Sequence, residues 1–186
     1  MRTKYFFYLL IFLFIAIGCK KENKTIGTQI EGDFNGDGKT EIAVLEYLGV
    51  KQATNVLLFK YSVTFTDENI KPIIIETTYR KLQLINEGDL NGDNADDISI
   101  SQEIHPKAPF STMQTQSFSD NKWNYIITHI TIHLGFETLR PEQLQDVVTK
   151  KGKSIIYYTY DSSSLEFDDN FIPQNNNKKF EEIKLE

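Results

Sequence analysis

Apolar and polar residues alternate with a period of two over most of this chain. In VLLFKYSVTF, residues 56–65, the polar residues Lys60, Ser62 and Thr64 fall on one face. The opposite face carries the apolar side chains Leu57, Phe59, Tyr61, Val63 and Phe65. Residues 73–79, 82–85 and 155–160 are further runs rich in β-branched or aromatic residues. This pattern is typical of half-buried strands and predicts a mostly β chain.

Two other segments refine that prediction. In WNYIITHITIHL, residues 123–134, Ile126, Ile130 and Ile132 fall on one face of a predicted strand. His129 and His133 would lie about 13 Å apart on such a strand, too far to share one metal ion. Residues 137–148 instead contain helix-forming residues with a proline near the first turn, which predicts at most one short helix.

An acidic segment occurs twice in the chain. EGDFNGDGKTEIAV, residues 31–44, recurs as EGDLNGDNADDISI, residues 87–100, at an offset of 56 residues. Seven of the fourteen positions are identical. A merely solvated acidic turn has no physical reason to repeat in this way, so the repeat indicates a shared function.

Both copies have the residue pattern of a calcium loop. Oxygen-bearing side chains stand at positions 1, 3, 5 and 9, and position 7 offers only its backbone carbonyl. Calcium takes six to eight oxygen ligands in flexible geometry. The sequence therefore predicts two calcium sites, in loops 33–41 and 89–97. Their ligands would be Asp33, Asn35, Asp37, Lys39 and Glu41 in the first loop, and Asp89, Asn91, Asp93, Ala95 and Asp97 in the second.

Other kinds of metal loop fit these residues less well. An EF-hand requires glutamate at position 12, where these loops have Val44 and Ile100. Neither loop contains histidine or cysteine, which argues against zinc and copper. Position 6 needs a sharp turn, and Gly38 and Asn94 are the residue types that best tolerate a left-handed backbone.

A loop of the form D-x-N-G-D-G-x-x-[DE] that leads into a strand resembles the FG-GAP or VCBS-type repeat of integrin-like β-propellers. In that family each repeat is a four-stranded blade whose calcium loop joins the first two strands. The resemblance covers roughly residues 26–102 and not the C-terminal part. It implies an all-β fold with two four-stranded blade-like repeats and a degenerate third β unit. The arrangement would be a partial propeller or a compact sandwich, because the chain is too short for a full propeller.

The N-terminus has the features of an exported lipoprotein. Residues 1–18 contain Arg2, Lys4 and an apolar stretch over 5–17, shorter than the roughly 20 residues of a membrane-spanning helix. The sequence AIGC, residues 16–19, resembles the bacterial lipobox, which implies cleavage before Cys19 and attachment of lipid, including palmitate, to that cysteine. Residues 19–25 are predicted to be a polar tether, and residues 26–186 a single β-domain.

Composition limits the classes of function. Cys19 is the only cysteine, so no disulfide can stabilise the exported domain. Without Arg2 and Lys4, 18 basic residues remain against 26 acidic ones, a net charge of −8. This balance argues against nucleic acid as a partner and leaves the lipid anchor as the only predicted contact with the membrane. No catalytic motif is present, and the chain is predicted not to be an enzyme.

The sequence thus predicts a lipid-anchored, calcium-binding module of the cell envelope that binds an envelope protein or glycan. The lipoprotein resemblance implies the outer membrane, because Lys20 is not the aspartate that retains such proteins at the inner membrane. An alternative is a periplasmic inhibitor or immunity protein against a lysozyme-like peptidoglycan hydrolase. Some inhibitors of that class have similar acidic loops, and the negative charge would attract a basic hydrolase.

Overall fold

The computed structural model describes residues 23–103, 110–133, 141–160 and 178–185, which form three antiparallel sheets. The predicted signal peptide and Cys19 lie outside these residues. The first sheet contains β2 (Gln29–Gly32), β3 (Glu41–Ala53), β4 (Val56–Phe65) and β5 (Ile73–Thr77), in that order. The middle sheet contains β1 (Ile26–Gly27), β6 (Lys81–Gly88), β7 (Asp97–Glu103), β8 (Phe110–Ser119) and β9 (Lys122–His133). The third contains β10 (Val148–Lys151), β11 (Ser154–Tyr160) and β12 (Lys178–Lys184).

The all-β prediction is confirmed. The loop after β2 connects neighbouring strands of the first sheet, and the loop after β6 does the same in the middle sheet. Each unit therefore begins one strand before its acidic loop, so β6 belongs to the second unit and not to the first. Helix α1 (Pro141–Leu144) is a single turn within the segment predicted to be helical. In the described part of the chain no helix is long and apolar enough to cross a bilayer.

The middle sheet has a hydrophobic core on each of its faces. Strand alternation places neighbouring residues of β6 on opposite sides, so Leu84 faces the first sheet and Ile85 faces the third. On the first side, Leu84 packs in one cluster with Ile30, Phe34, Val63, Ile98 and Ile100. On the other side, Ile85 packs in a second cluster with Met113, Ile132, Leu144, Val148 and Ile155. Each such fully buried side chain contributes about 1.5–3 kcal/mol.

Strand β9 does not follow the predicted face. Ile127 is 3% exposed and lies in the core with Ile130, whereas Ile126 is only partly buried. The cause is a β-bulge: Met113 of β8 pairs with Ile130, and Thr115 pairs with Ile127. Strand β9 therefore uses three residues where β8 uses two, and the inward face shifts by one position.

The inward face predicted for β4 is buried only at its centre. Tyr61 and Val63 are buried, but Leu57 is exposed. Leu57 lies near the end of the β3–β4 hairpin, where Val50 and Val56 are exposed as well. The prediction from alternation fails here because none of the residues that the structure describes forms a second layer over this part of the hairpin.

The last residues of the predicted tether are docked on the domain. The backbone of Lys24 exchanges two hydrogen bonds with the Gln145 amide, at 2.9 and 3.0 Å. Its ammonium group donates to the carbonyl of Val148 at 2.6 Å and forms an ion pair with the buried carboxylate of Glu87. The folded domain therefore begins at or before Lys24, at least two residues earlier than the predicted start at residue 26.

Candidate metal centre

Local hydrogen bonds shape the first loop, between β2 and β3. The Asp33 carboxylate accepts the backbone N–H of Asp37 at 3.1 Å and of Gly38 at 2.9 Å. The side-chain oxygen of Asn35 also accepts from Asp37, at 3.0 Å. Asp37 in turn accepts from the N–H of Lys39 at 2.9 Å. These bonds draw the chain around the oxygen-bearing side chains.

Three carboxylates meet in this loop. Oxygen atoms of Asp33, Asp37 and Glu41 all lie within 4.8 Å of one another. Glu41 is buried, and one of its oxygens accepts the N–H of Phe34 at 2.9 Å. Burial raises the pKa of Glu41, and the charges of Asp33 and Asp37 raise it further, whereas the Phe34 bond opposes them. A cation at this point would offset that repulsion, so the three residues can hold a metal ion.

The second loop, between β6 and β7, repeats most of these bonds, although one donor to the first aspartate moves from position 5 to position 4. The Asp89 carboxylate accepts from the backbone N–H groups of Gly92 and Asn94, the latter at 3.2 Å. The N–H of Asp93 donates to the Asn91 side chain at 2.9 Å. The bond from position 7 to position 5 is also present, because the N–H of Ala95 donates to the Asp93 carboxylate at 3.0 Å. Half of the repeated residues are identical, and the loop geometry is conserved between the copies as well.

Both loops turn through left-handed backbone at positions 4 and 6. Gly36 and Gly92 have φ angles of 73° and 89°. Gly38 has a φ of 83°, and Asn94, its counterpart, has a φ of 70°. The predicted turn at position 6 is therefore confirmed in both copies, and asparagine serves in place of glycine.

Asp97, at position 9 of the second loop, has an unsatisfied carboxylate oxygen. Its Oδ2 accepts the N–H of Leu90 at 2.8 Å and of Asn91 at 3.3 Å. Its Oδ1 is fully buried and has no hydrogen-bond partner in the described part of the chain. The nearby Ser117 hydroxyl donates to Asp93 at 3.0 Å, and it partly opposes the effect of burial on the pKa of Asp97. Burial raises the pKa of Asp97 to about 7. An unpartnered buried carboxylate oxygen is what a missing cation would leave.

The two loops differ in how completely they are assembled. Among the described residues, the first loop provides the only group of three carboxylates close enough to share an ion. In the second loop position 9 is aspartate, one methylene shorter than Glu41, so its carboxylate extends less far. Lys150 of β10 also approaches this loop, donating to the Asp89 carbonyl at 2.8 Å and lying 3.7 Å from its carboxylate.

The two loops are bonded directly to each other. The N–H of Asp96 donates to the carbonyl of Asp33 at 2.6 Å, and the N–H of Asp33 donates to the Asp96 carboxylate at 3.1 Å. The Asn86 amide bridges the Asp96 carboxylate and the carbonyl of Glu31, at 2.9 and 2.7 Å. A shift of either loop therefore disturbs the other.

Sequence reasoning missed the residues that support the loops from elsewhere in the chain. Asp67, in the turn after β4, accepts from the Asn35 amide at 2.9 Å. Ser117 accepts from the corresponding amide of Asn91 at 3.0 Å. Lys150 approaches from the third sheet. None lies within the repeated motif, and only the folded structure brings them to the loops.

Gly32 packs closely at the junction of the loops. A Cβ atom there would lie 2.5 Å from the Asn86 amide nitrogen, 2.6 Å from the Asp96 carboxylate and 2.9 Å from the Phe34 ring. We expect Gly32→Ala to lower the free energy of unfolding by about 1–3 kcal/mol through this overlap, as measured by urea denaturation. Gly27→Ala is the control, because its Cβ would come no closer than 3.5 Å to a neighbour. Equal effects of the two substitutions would contradict this packing.

No protein-family model matches the chain, and comparisons with curated proteins and with solved structures find no match either. The donor atoms of both loops remain the most informative feature. They are carboxylate, amide and backbone oxygens, which suit a hard cation rather than zinc or copper.

Proposed function

We propose that this protein is a calcium-stabilised β-domain that serves as a binding or structural module at the cell envelope. The observation that carries the proposal is the convergence of Asp33, Asp37 and Glu41 at the end of the first sheet. Asn35 and the carbonyl of Lys39 would complete the protein ligands of that ion. The repeated bonding of the second loop, with its unpartnered Asp97 oxygen, supports a second site.

Calcium fits better than magnesium. Magnesium demands nearly ideal octahedral geometry and usually keeps several waters, whereas calcium accepts an irregular shell built largely from protein oxygens. In the second loop, the proposed ligands are Asp89, Asn91, Asp93, the carbonyl of Ala95, and Asp97. Extracellular calcium modules typically bind at ~10⁻⁴–10⁻³ M, and we expect affinities in that range.

Calcium at these loops would hold the domain together. The first loop is bonded to the second through Asp33 and Asp96, and Lys150 connects the second loop to the third sheet. The predicted exported domain contains no cysteine after Cys19. An ion at ~100-fold over its dissociation constant stabilises by about 2.7 kcal/mol per site, comparable to a disulfide.

Location and partner class rest on the sequence. The lipobox-like residues before Cys19 support export and attachment to the envelope through lipid, with the outer membrane as the proposed site. The position of each loop between neighbouring strands supports the resemblance to FG-GAP or VCBS-type repeats. A partner at the envelope would be a protein or a glycan.

Chelation provides the direct test. EGTA is expected to lower the melting temperature of the wild-type domain in a scanning calorimeter, because it removes ions that bind only the folded state. The double variant Asp33→Ala, Asp89→Ala should melt at the same temperature with calcium or EGTA. Glu46→Ala, an exposed carboxylate of β3, is the control and should keep the full response. An unchanged wild-type melting temperature on chelation would exclude calcium stabilisation.

A further inference from the structure

A groove of about 530 Å³ runs between the first and middle sheets, beside strand β5. Residues 72–79 form one wall. Strands β7, β8 and β9 supply the floor, which includes Gln102, Gln114, Gln116, Trp123, Tyr125 and His129. Volumes of this size are typical of sites for small ligands.

The groove exists because the first sheet covers only part of the middle sheet. Strand β5 is the last strand of the first sheet. Gln114 and Gln116 pair in register with Ile100 and Ile98, two residues of the core beneath the first sheet. Residues opposite each other in register share a face. The two glutamines therefore face the same way as that core but line the groove beside β5.

Two floor amides have no partner. Gln114 is 6% exposed and Gln116 is 4% exposed, yet neither side-chain amide makes a hydrogen bond to any residue that the structure describes. Gln102 differs, because its carbonyl oxygen accepts the Thr77 hydroxyl at 2.8 Å. The polar atoms of these two amides are not fully buried, so they reach the open groove, where a ligand can exchange hydrogen bonds with them.

The rest of the lining mixes aromatic, aliphatic and hydroxyl side chains and is almost uncharged. Tyr125 pairs with Gln116 in register, and 59% of its surface is exposed. Trp123 stacks against Phe65 with ring centroids 5.3 Å apart and donates to a backbone carbonyl. Among the described residues, the lining contains no lysine or arginine, and Glu76 is its one carboxylate. An anionic ligand would find no cation here.

We infer that this groove binds a neutral carbohydrate. Sugar hydroxyls both donate and accept, which matches the mixed hydrogen-bonding capacity of the two glutamine amides. The C–H face of a pyranose ring can pack against the exposed ring of Tyr125. A purely apolar ligand would leave the amides unsatisfied. This inference rests on the proposed function only in naming the partner of the binding module. It does not depend on calcium, because none of the proposed calcium ligands lines the groove.

An extended peptide is the competing occupant. Strand β5 is an edge strand of the first sheet, and no other described strand pairs with its outer side, so a peptide strand can add there by backbone hydrogen bonds. The peptide backbone would be used up in bonds to β5. The side chains of the peptide would then have to supply the hydrogen bonds to both glutamine amides. A sugar carries hydroxyls around its whole ring, so it satisfies the amides without requiring a particular sequence. The carbohydrate is therefore favoured.

Trp123 is the only tryptophan of the chain, so fluorescence excited at wavelengths that tyrosine does not absorb reports on this groove. The experiment is a titration of the full-length protein with maltotetraose, cellotetraose and chitotetraose, in calcium and again in EGTA. We expect at least one of them to cause a saturable change. Gln114→Ala with Gln116→Ala should weaken that binding about tenfold or more. Tyr125→Ala, at an exposed position, should weaken it without disturbing the fold.

Gln52→Ala is the matched control, since Gln52 is an exposed residue of the β3–β4 hairpin that does not line the groove. It should leave the affinity unchanged. No saturable change with any of the sugars would overturn the inference, as would binding that the groove variants do not affect. Enrichment of peptides from a random phage library in a Gln114- and Gln116-dependent manner, without sugar binding, would assign the groove to peptides instead. None of these results alters the chelation response, so failure of this inference is distinguishable from failure of the proposed function.

Discussion

Asp97→Asn is expected to stabilise the calcium-free protein at pH 8. It should also remove the stabilisation that calcium provides by binding to the second loop. In EGTA the free energy of unfolding should rise by about 2–4 kcal/mol, because a buried carboxylate with an unpartnered oxygen is replaced by a neutral amide. In calcium the order should reverse, because the wild-type carboxylate then has its cation. A substitution at an ordinary core residue would not stabilise the calcium-free protein while destabilising the calcium-bound protein.

The pH dependence follows from the direction of the shift. Burial raises the pKa of Asp97 from its usual 3.8 to about 7, so the folded state holds this proton more tightly than the unfolded state. Stability of the calcium-free protein should therefore fall as pH rises from about 4 to about 7, and then level off. Asp97→Asn should lack this fall.

Urea denaturation at pH 5, 6, 7 and 8 in EGTA measures the effect. Asp120→Asn is the control, because it makes the same chemical change at an exposed turn between β8 and β9. The account of Asp97 would be wrong if Asp97→Asn were less stable than wild type at every pH in EGTA.

Lys24→Met is expected to lower the free energy of unfolding by about 3–5 kcal/mol. The substitution leaves the carboxylate of Glu87 buried without its ammonium partner and also removes the bond to the Val148 carbonyl. Burial already raises the pKa of Glu87 despite Lys24. Guanidinium denaturation at pH 7.5 measures the loss.

The double variant Lys24→Met, Glu87→Gln separates the ion pair from simple packing. It removes both charges and should recover much of the lost stability. A chain that begins at Ile26 also lacks Lys24 and should be destabilised to a similar degree. A fully stable Lys24→Met variant would show that the Lys24 side chain contributes nothing to the stability of the fold.

The internal shape of the loops was predictable because it depends on short-range chemistry. The bonds that define each loop join residues two to seven positions apart, such as Phe34 with Glu41. Carboxylate and amide side chains close to glycine form such turns wherever they stand in the chain. The left-handed turns at Gly38 and Asn94 follow from the same local rules.

Features that depend on contacts between strands were not predictable. The bulge that brings Ile127 into the core leaves no mark in the alternation of β9. The supporting residue Asp67 looks like an ordinary turn residue in the sequence, and Asp96 occupies position 8 of the second loop, which the calcium pattern does not use. Packing between layers selects them, and a period of two does not encode which layer lies opposite.

Glu31 and Glu87 show where the two kinds of information separate. They occupy the same position of the repeat, yet Glu31 is exposed and Glu87 is buried against Lys24. The sequence by itself determined the β class, the repeat and the candidate ligands, because alternation and turn chemistry act over a few residues. The tertiary structure alone decided that the carboxylates assemble fully in the first loop and that the loops are joined. It also decided that a groove lies beside β5, because each of these features depends on distant strands packing together.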